Sequence, residues 1–218
     1  MTPLATPAEW VALRFTDHYD EWRERRIAAI RRHYGDGFFK GATLLELGCG
    51  YGDIGAAFRT LGAEVFCADA REEHLEVARE RHPGLRTIQA DLNHEWPFGW
   101  FDIVLHLGVL YHLEPTHASL RRACQATNHL VLETEVCDLT APDAVLTADE
   151  EGYDQAIDGR GCRPSAARVE RVLEDEGMRW QRVSDDRCNA GIHVYDWPET
   201  NSGRVAHGLR RFWFAERP

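Results

Sequence analysis

The segment Leu44-Leu45-Glu46-Leu47-Gly48-Cys49-Gly50-Tyr51-Gly52-Asp53-Ile54-Gly55 constrains this chain more than any other. An apolar run of strand length breaks into glycines at 48, 50 and 52, then into residues that suit a helix. Glycines spaced this way let the backbone bend sharply and approach a ligand where a Cβ would block it. Glu46 stands two residues before the first of them. A buried strand that opens into such a turn and then a helix belongs to an α/β layer structure, with ligands bound outside the carboxyl ends of the strands.

Periodicity along the rest of the chain agrees with that class. Trp10, Leu13, Tyr19, Trp22, Ile27 and Ile30 recur near helical spacing, and Gly35 and Gly37 end a helix over about residues 7–33. Strands are predicted at 43–47, 64–68, 87–90, 101–107 and 129–136, separated by helices at 53–61, 71–81 and 115–126. Such alternation predicts a parallel sheet. The unbroken Ile103-Val104-Leu105 suits a strand buried on both faces. Residues 137–164 read as loop, with several acids, three glycines and two prolines. Ser165 is placed to cap a helix over 165–176. A strand at 178–183, an irregular stretch at 184–207 and a last strand at 209–215 follow. Two late strands with no helix between them predict an antiparallel, hairpin-like ending. The run 189–197 alternates and reads as a candidate extra strand.

Three acids fall at successive strand ends: Glu46, Asp69 after Val65-Phe66-Cys67-Ala68, and Asp91 in Gln89-Ala90-Asp91-Leu92. With the glycine turn, acid-x-Gly-x-Gly-x-Gly resembles the first motif of class I S-adenosylmethionine-dependent methyltransferases. Phe101-Asp102-Ile103-Val104-Leu105-His106-Leu107-Gly108-Val109-Leu110-Tyr111-His112-Leu113 is similar to the fourth-strand motif of that superfamily. The resemblance covers about residues 40–136 well and the remainder weakly. It implies a Rossmann-like, seven-stranded, mostly parallel α/β sheet with an antiparallel last strand and helices on both faces. It implies S-adenosyl-L-methionine as cofactor, with Asp69 on the ribose, Asp91 on the adenine amino group and Leu92 beside the ring. Gly48 and Gly50 would lie against the methionine part, and Glu46 would act through the loop and on the ammonium. Cys49, Gly52, Ala70 and Leu107 complete the implied cofactor surroundings. One departure stands out. The usual Pro-Gly-Gly turn before the fifth strand is replaced by Ala126-Thr127-Asn128-His129, which leaves the subfamily open.

Gly50-Tyr51-Gly52-Asp53-Ile54-Gly55 also satisfies the G-x-G-x-x-G dinucleotide spacing, a weak signal by itself. A dinucleotide strand should run apolar up to its first glycine. Here Gly48 and Cys49 precede it, so the turn begins too early.

Composition narrows the partners. The chain has 218 residues, enough for one sizeable core, and is read as a single domain: a helical cap over 1–37, with 137–164 and 184–207 as substrate-cap insertions. A net charge of −11 argues against nucleic acid, whose binding is driven largely by phosphate neutralisation. No run approaches the roughly 18 apolar residues that suggest a membrane span. No basic-then-apolar leader opens the sequence. Six cysteines without C-x-x-C spacing read as buried thiols of a reducing, cytoplasmic protein rather than a disulfide or zinc framework. No metal site is expected.

The chemistry implied by the resemblance asks little of the protein beyond alignment and exclusion of water, with a base needed only when the nucleophile arrives protonated. His112 is the candidate base and Tyr111 its candidate orienter, both just past the fourth strand. His106 reads as a core or cofactor-lining residue. Substrate contacts are expected from Tyr153, Arg163, His193 and Tyr195. The resulting expectation is a methyltransferase for a small molecule or glycan-linked metabolite. The readings left open are a tRNA-modifying enzyme of the carboxymethyl-transferring type, an S-adenosylmethionine-consuming enzyme of other chemistry such as cyclisation or a lyase, a non-catalytic cofactor-binding partner protein, and, weakest, a dinucleotide oxidoreductase.

Overall fold

A computed structural model describes residues 19–115, 117–150, 152 and 155–218. Seven strands form one sheet in the order β3-β2-β1-β4-β5-β9-β8, and two more, β6 and β7, form a separate hairpin. The strands are β1 (Thr43–Leu47), β2 (Glu64–Asp69), β3 (Arg86–Gln89), β4 (Ile103–Leu107), β5 (His129–Glu135), β6 (Val145–Asp149), β7 (Arg160–Pro164), β8 (Arg179–Arg182) and β9 (Arg210–Glu216). The helices are α1 (Tyr19–Tyr34), α2 (Asp53–Thr60), α3 (Glu72–Arg81), α4 (Ala118–Gln125) and α5 (Ala166–Asp175). β1 to β5 pair in parallel, while β9 runs antiparallel to both of its neighbours. The reversed ending predicted from two strands without a crossover helix is thus present.

Alternation along the central strands makes two cores. Leu44, Ile103, Leu105, Val131, Phe212 and Phe214 face the layer of α1, α2 and α3. Leu45, Leu47, Val104, Leu130, Leu132 and Trp213 face α4 and α5. Both faces are covered, which is why β4 is buried at every position. Ser165 caps α5 as expected, its hydroxyl accepting from the Arg168 N–H at 3.0 Å. At the replaced turn before β5, Thr127 does the local work: its hydroxyl donates to the Asp102 carbonyl at 3.1 Å and accepts from the His129 N–H at 3.0 Å.

Two expectations change. Residues 137–164 are not simply loop, because β6 and β7 pair along five residues each. The Gly and Pro in Arg160-Gly161-Cys162-Arg163-Pro164 hide a strand from propensity, and distant ion pairs supply the order instead. Conversely, 189–197 forms only isolated bridges, Ala190 with His193 and Val194 with Leu209. The N-terminal part of the helix predicted over 7–33 and Tyr153 lie outside the described residues.

At the carboxyl ends of β4 and β5 the interior is ionic. Arg210, fully buried on β9, pairs with Glu133 at 2.8 Å and Glu135 at 3.3 Å and donates to the Tyr111 hydroxyl at 3.1 Å. Removing one partner from a buried pair leaves the other charge uncompensated, so Arg210→Met is expected to cost about 3–5 kcal/mol of stability. Urea unfolding of the two proteins checks this.

Candidate functional site

The carboxyl ends of β1, β2 and β4 open onto one cavity, roofed by α1 and by the connection between β6 and β7. At its floor the glycine turn takes left-handed backbone, φ +64° at Gly48, +52° at Gly50 and +74° at Gly52. A Cβ on Gly50 would meet nothing within 4 Å, so the bare backbone there faces open space. A Cβ on Gly48 would instead strike the Val109 side chain at 2.6 Å, and one on Gly52 would strike Leu85 at 2.6 Å. Gly52 therefore serves packing, and it is the one candidate cofactor residue that does not line the cavity. Gly55, the last glycine of the rival dinucleotide spacing, also serves packing. An added Cβ would lie 2.7 Å from both Cys67 Sγ and Glu46 Oε2.

The three acids occupy different situations. Glu46 is buried, and its carboxylate accepts from the Gly55 N–H at 2.8 Å and the Cys67 thiol at 3.4 Å. Burial pushes its pKa up to about 7, against those hydrogen bonds. Asp69 accepts from the Gly50 N–H at 2.9 Å and the Arg71 N–H at 3.0 Å, and lies 3.2 Å from His74 Nδ1. The carboxylate at the end of β2 thereby fixes the glycine turn at the end of β1. Asp91 accepts from the Asn93 N–H at 3.0 Å and sits on the cavity wall with Leu92 and Ala70. The contact with Cys67 and burial push the Cys49 thiol up, which disfavours its thiolate form.

On the β4 side, Leu107, Gly108, Val109, Tyr111 and His112 line the cavity. A 3-10 turn over Leu110–His112 brings the last two there. The Tyr111 hydroxyl is engaged by Arg210 and kept protonated by burial. His112 Nδ1 lies 2.5 Å from Glu150 Oε2. Burial alone would raise the Glu150 pKa, yet His112 and Arg163 outweigh it and hold the carboxyl below its ordinary value. His106 is a core residue, fully buried against Ser119 at 3.1 Å and kept neutral by burial, which lowers its pKa to about 3.

The described substrate candidates sit behind the cavity wall. Arg163 is committed to Glu135 at 2.5 Å, to Glu150 at 2.7 Å and to the Tyr111 carbonyl at 3.1 Å. His193 stacks on Trp22 at 4.0 Å, and the Tyr195 hydroxyl accepts from Trp22 Nε1 at 2.6 Å. These two tie the 184–207 stretch to α1 and do not line the cavity. Residues that sequence reasoning did not single out do line it: Trp22, Arg26, Asn93, Ile157 and His207. His207 pairs with Glu135 at 2.5 Å. Nothing local marks His207 or Glu150. Glu150 stands in the run Asp149-Glu150-Glu151, which reads as solvated surface, although Glu150 itself is buried.

Residues 44–130 match the family model described as a methyltransferase domain. A ubiquinone biosynthesis O-methyltransferase of Ruegeria pomeroyi is 36% identical over 89 residues, which is 38% of this chain and 36% of that protein. The match thus spans about a third of that relative's own length. Among solved structures, the N-terminal domain of EvdMO1, crystallised in the presence of SAH and D-fucose, superposes with a TM-score of 0.65 at 21% identity, covering 93% of this chain and 84% of that one. An S-adenosylmethionine-dependent methyltransferase from Mesorhizobium loti superposes with a TM-score of 0.63 at 19% identity, covering 88% and 98%.

The Glu46 environment has a testable consequence. Its folded pKa of about 7 lies above the ordinary 4.5, so the folded protein binds the proton more tightly than the unfolded chain. That contribution is complete below pH 4.5 and is lost as pH rises toward 7. Relative to Glu46→Gln, the wild type is expected to lose on the order of 3 kcal/mol of stability across that window. Urea unfolding at a series of pH values reads the difference.

Proposed function

We infer that this chain, with the fold of class I S-adenosylmethionine-dependent methyltransferases and a methyltransferase-domain segment at 44–130, transfers a methyl group from S-adenosyl-L-methionine to a small-molecule or glycan-linked acceptor. The observation that carries the reading is convergence. The glycine turn, Asp69, Asp91 and His112 come from the carboxyl ends of successive strands and meet in one cavity.

The residues present suit the donor. Gly50 offers bare backbone to open space, and Asp69 offers a carboxylate at the cavity wall for paired ribose hydroxyls. Asp91 and Leu92 provide an acceptor and an apolar contact for the adenine, and Glu46 a buried carboxylate toward the ammonium. When bound, S-adenosylmethionine supplies an activated methyl on a sulfonium. The protein's own share is to align the acceptor, exclude water and take a proton where one must leave. His112 is the group we assign to that proton. Tyr111, beside it and held by Arg210, supports the turn that carries it.

The relatives named O-methyltransferases match over little more than a third of this chain, so they support methyl transfer more than any particular acceptor. A small acceptor is supported by the net charge of −11, which disfavours an RNA duplex or tRNA body, and by the β6–β7 connection lying across the cavity. Among the described residues no helix is long and apolar enough to cross a membrane.

Titration calorimetry tests the donor. S-adenosylhomocysteine is expected to bind and NADH is not. Hydrogen bonds to a charged group contribute about 1.5–3 kcal/mol each, so Asp69→Ala should weaken S-adenosylhomocysteine at least about tenfold. NADH binding in place of S-adenosylhomocysteine would overturn the reading. Transfer of labelled methyl to tRNA, and to none of a panel of small hydroxylated compounds, would overturn the acceptor class.

A further inference from the structure

We propose that Glu150 is a positioning residue that holds His112 as a proton acceptor, and that the acceptor substrate is therefore of the hydroxyl class, an alcohol or phenol that arrives protonated. The proposal rests on reading the cavity as a methyl-transfer site and goes beyond it by naming what the 137–164 insertion contributes to the chemistry.

The geometry is a relay with one exposed end. Glu150, just past β6, is 5% exposed. Its Oε2 lies 2.5 Å from His112 Nδ1 and accepts from the Ala156 N–H at 3.1 Å, while its Oε1 lies 2.7 Å from the Arg163 guanidinium. The carboxylate is thus clamped from the side away from the histidine. Arg163 is itself fixed by Glu135 at 2.5 Å and by the carbonyls of Tyr111 and Cys162 at 3.1 Å. Gly161 makes room for this arrangement. A Cβ there would strike the Tyr111 carbonyl at 2.4 Å and Glu150 Oε1 at 2.7 Å, so β7 presses directly on the turn that carries His112.

A carboxylate is an acceptor only, so it requires a hydrogen on Nδ1. The neutral ring then presents the Nε2 lone pair, and His112 lines the cavity beside Val109 and Leu113. Among the described residues no hydrogen bond engages His112 Nε2, which leaves that nitrogen available at the cavity wall. In the step, the acceptor O–H bond breaks and its proton goes to Nε2. The oxygen bonds to the methyl carbon, and the electron pair of the methyl–sulfur bond stays on sulfur. Glu150 stays ionised and stabilises the imidazolium so formed. An acceptor that arrives already deprotonated would need none of this, so the pair calls for an acceptor that brings its own proton, and the O-methyltransferase relatives favour a hydroxyl among these.

Histidine 15N spectroscopy tests the arrangement without an acceptor. In protein labelled on histidine, with His112→Gln used to assign the resonance, the neutral His112 ring of the wild type is expected to carry its proton on Nδ1. In Glu150→Ala, with the acceptor gone, the proton is expected to move to Nε2. A wild-type ring protonated on Nε2, or a tautomer unchanged in Glu150→Ala, overturns the proposal. The wild-type spectrum decides even if the variant does not fold. S-adenosylhomocysteine titration of the same wild-type sample separates the two failures. Loss of binding defeats the methyl-transfer reading, whereas intact binding with an Nε2–H ring defeats only the role given to Glu150.

Discussion

A chain of buried ion pairs holds the carboxyl edge of the sheet together, and the candidate site depends on it. Arg210 on β9 joins Glu133 and Glu135 on β5, Arg163 on β7 joins Glu135 to Glu150, and Glu150 reaches His112. Arg26 on α1 completes the opposite end at 3.4 Å from Glu133. Charges removed from water are costly unless each is met by partners of good geometry. Apart from Glu133 and Glu135, which share β5, each member comes from a different element. The pairs therefore fix how α1, β5, the β6–β7 hairpin and β9 sit around the cavity, which apolar packing alone would specify less sharply.

The same edge shows why the first half of the fold was legible in the sequence and the second half was not. The side of the cavity built from the ends of β1, β2 and β3 is made by local rules. A buried, largely apolar strand ends, glycines turn, a helix begins, and acids stand at the ends of successive strands, so Glu46, Asp69 and Asp91 can be found from the sequence. The reversed ending could be read as well, since two strands without an intervening helix have one simple way to join the sheet. The hairpin of β6 and β7 obeys no such rule. Its second strand contains Gly161 and Pro164, and it is ordered by Arg163 meeting carboxylates that lie 28 and 13 positions away in sequence, at Glu135 and Glu150. Long-range ionic order leaves no periodic trace.

That difference also explains why arginine and aromatic residues of the late loops mislead as substrate groups. Arg163, His193 and Tyr195 have the chemistry of ligands, but the structure spends it internally. Arg211 does the same, stacking 3.7 Å over Trp197 and bonding to the carbonyls of Tyr195 and Trp197 at 2.8 Å. These groups shape the wall, while His112, His207, Trp22 and Ile157 are the side chains it presents.

The charge balance of the network bears on the chemistry left at its exposed end. Glu133, Glu135 and Glu150 are matched by Arg26, Arg163 and Arg210 before any histidine is counted. His112 and His207 join this network at its ends, on Glu150 and Glu135. Glu150 meets His112 with one oxygen while Arg163 holds the other, so the imidazole is oriented by a carboxylate whose charge is already compensated. In the proposed reaction, an imidazole oriented in this way at the cavity wall would have a carboxylate at hand to stabilise the charge it gains from an acceptor's proton.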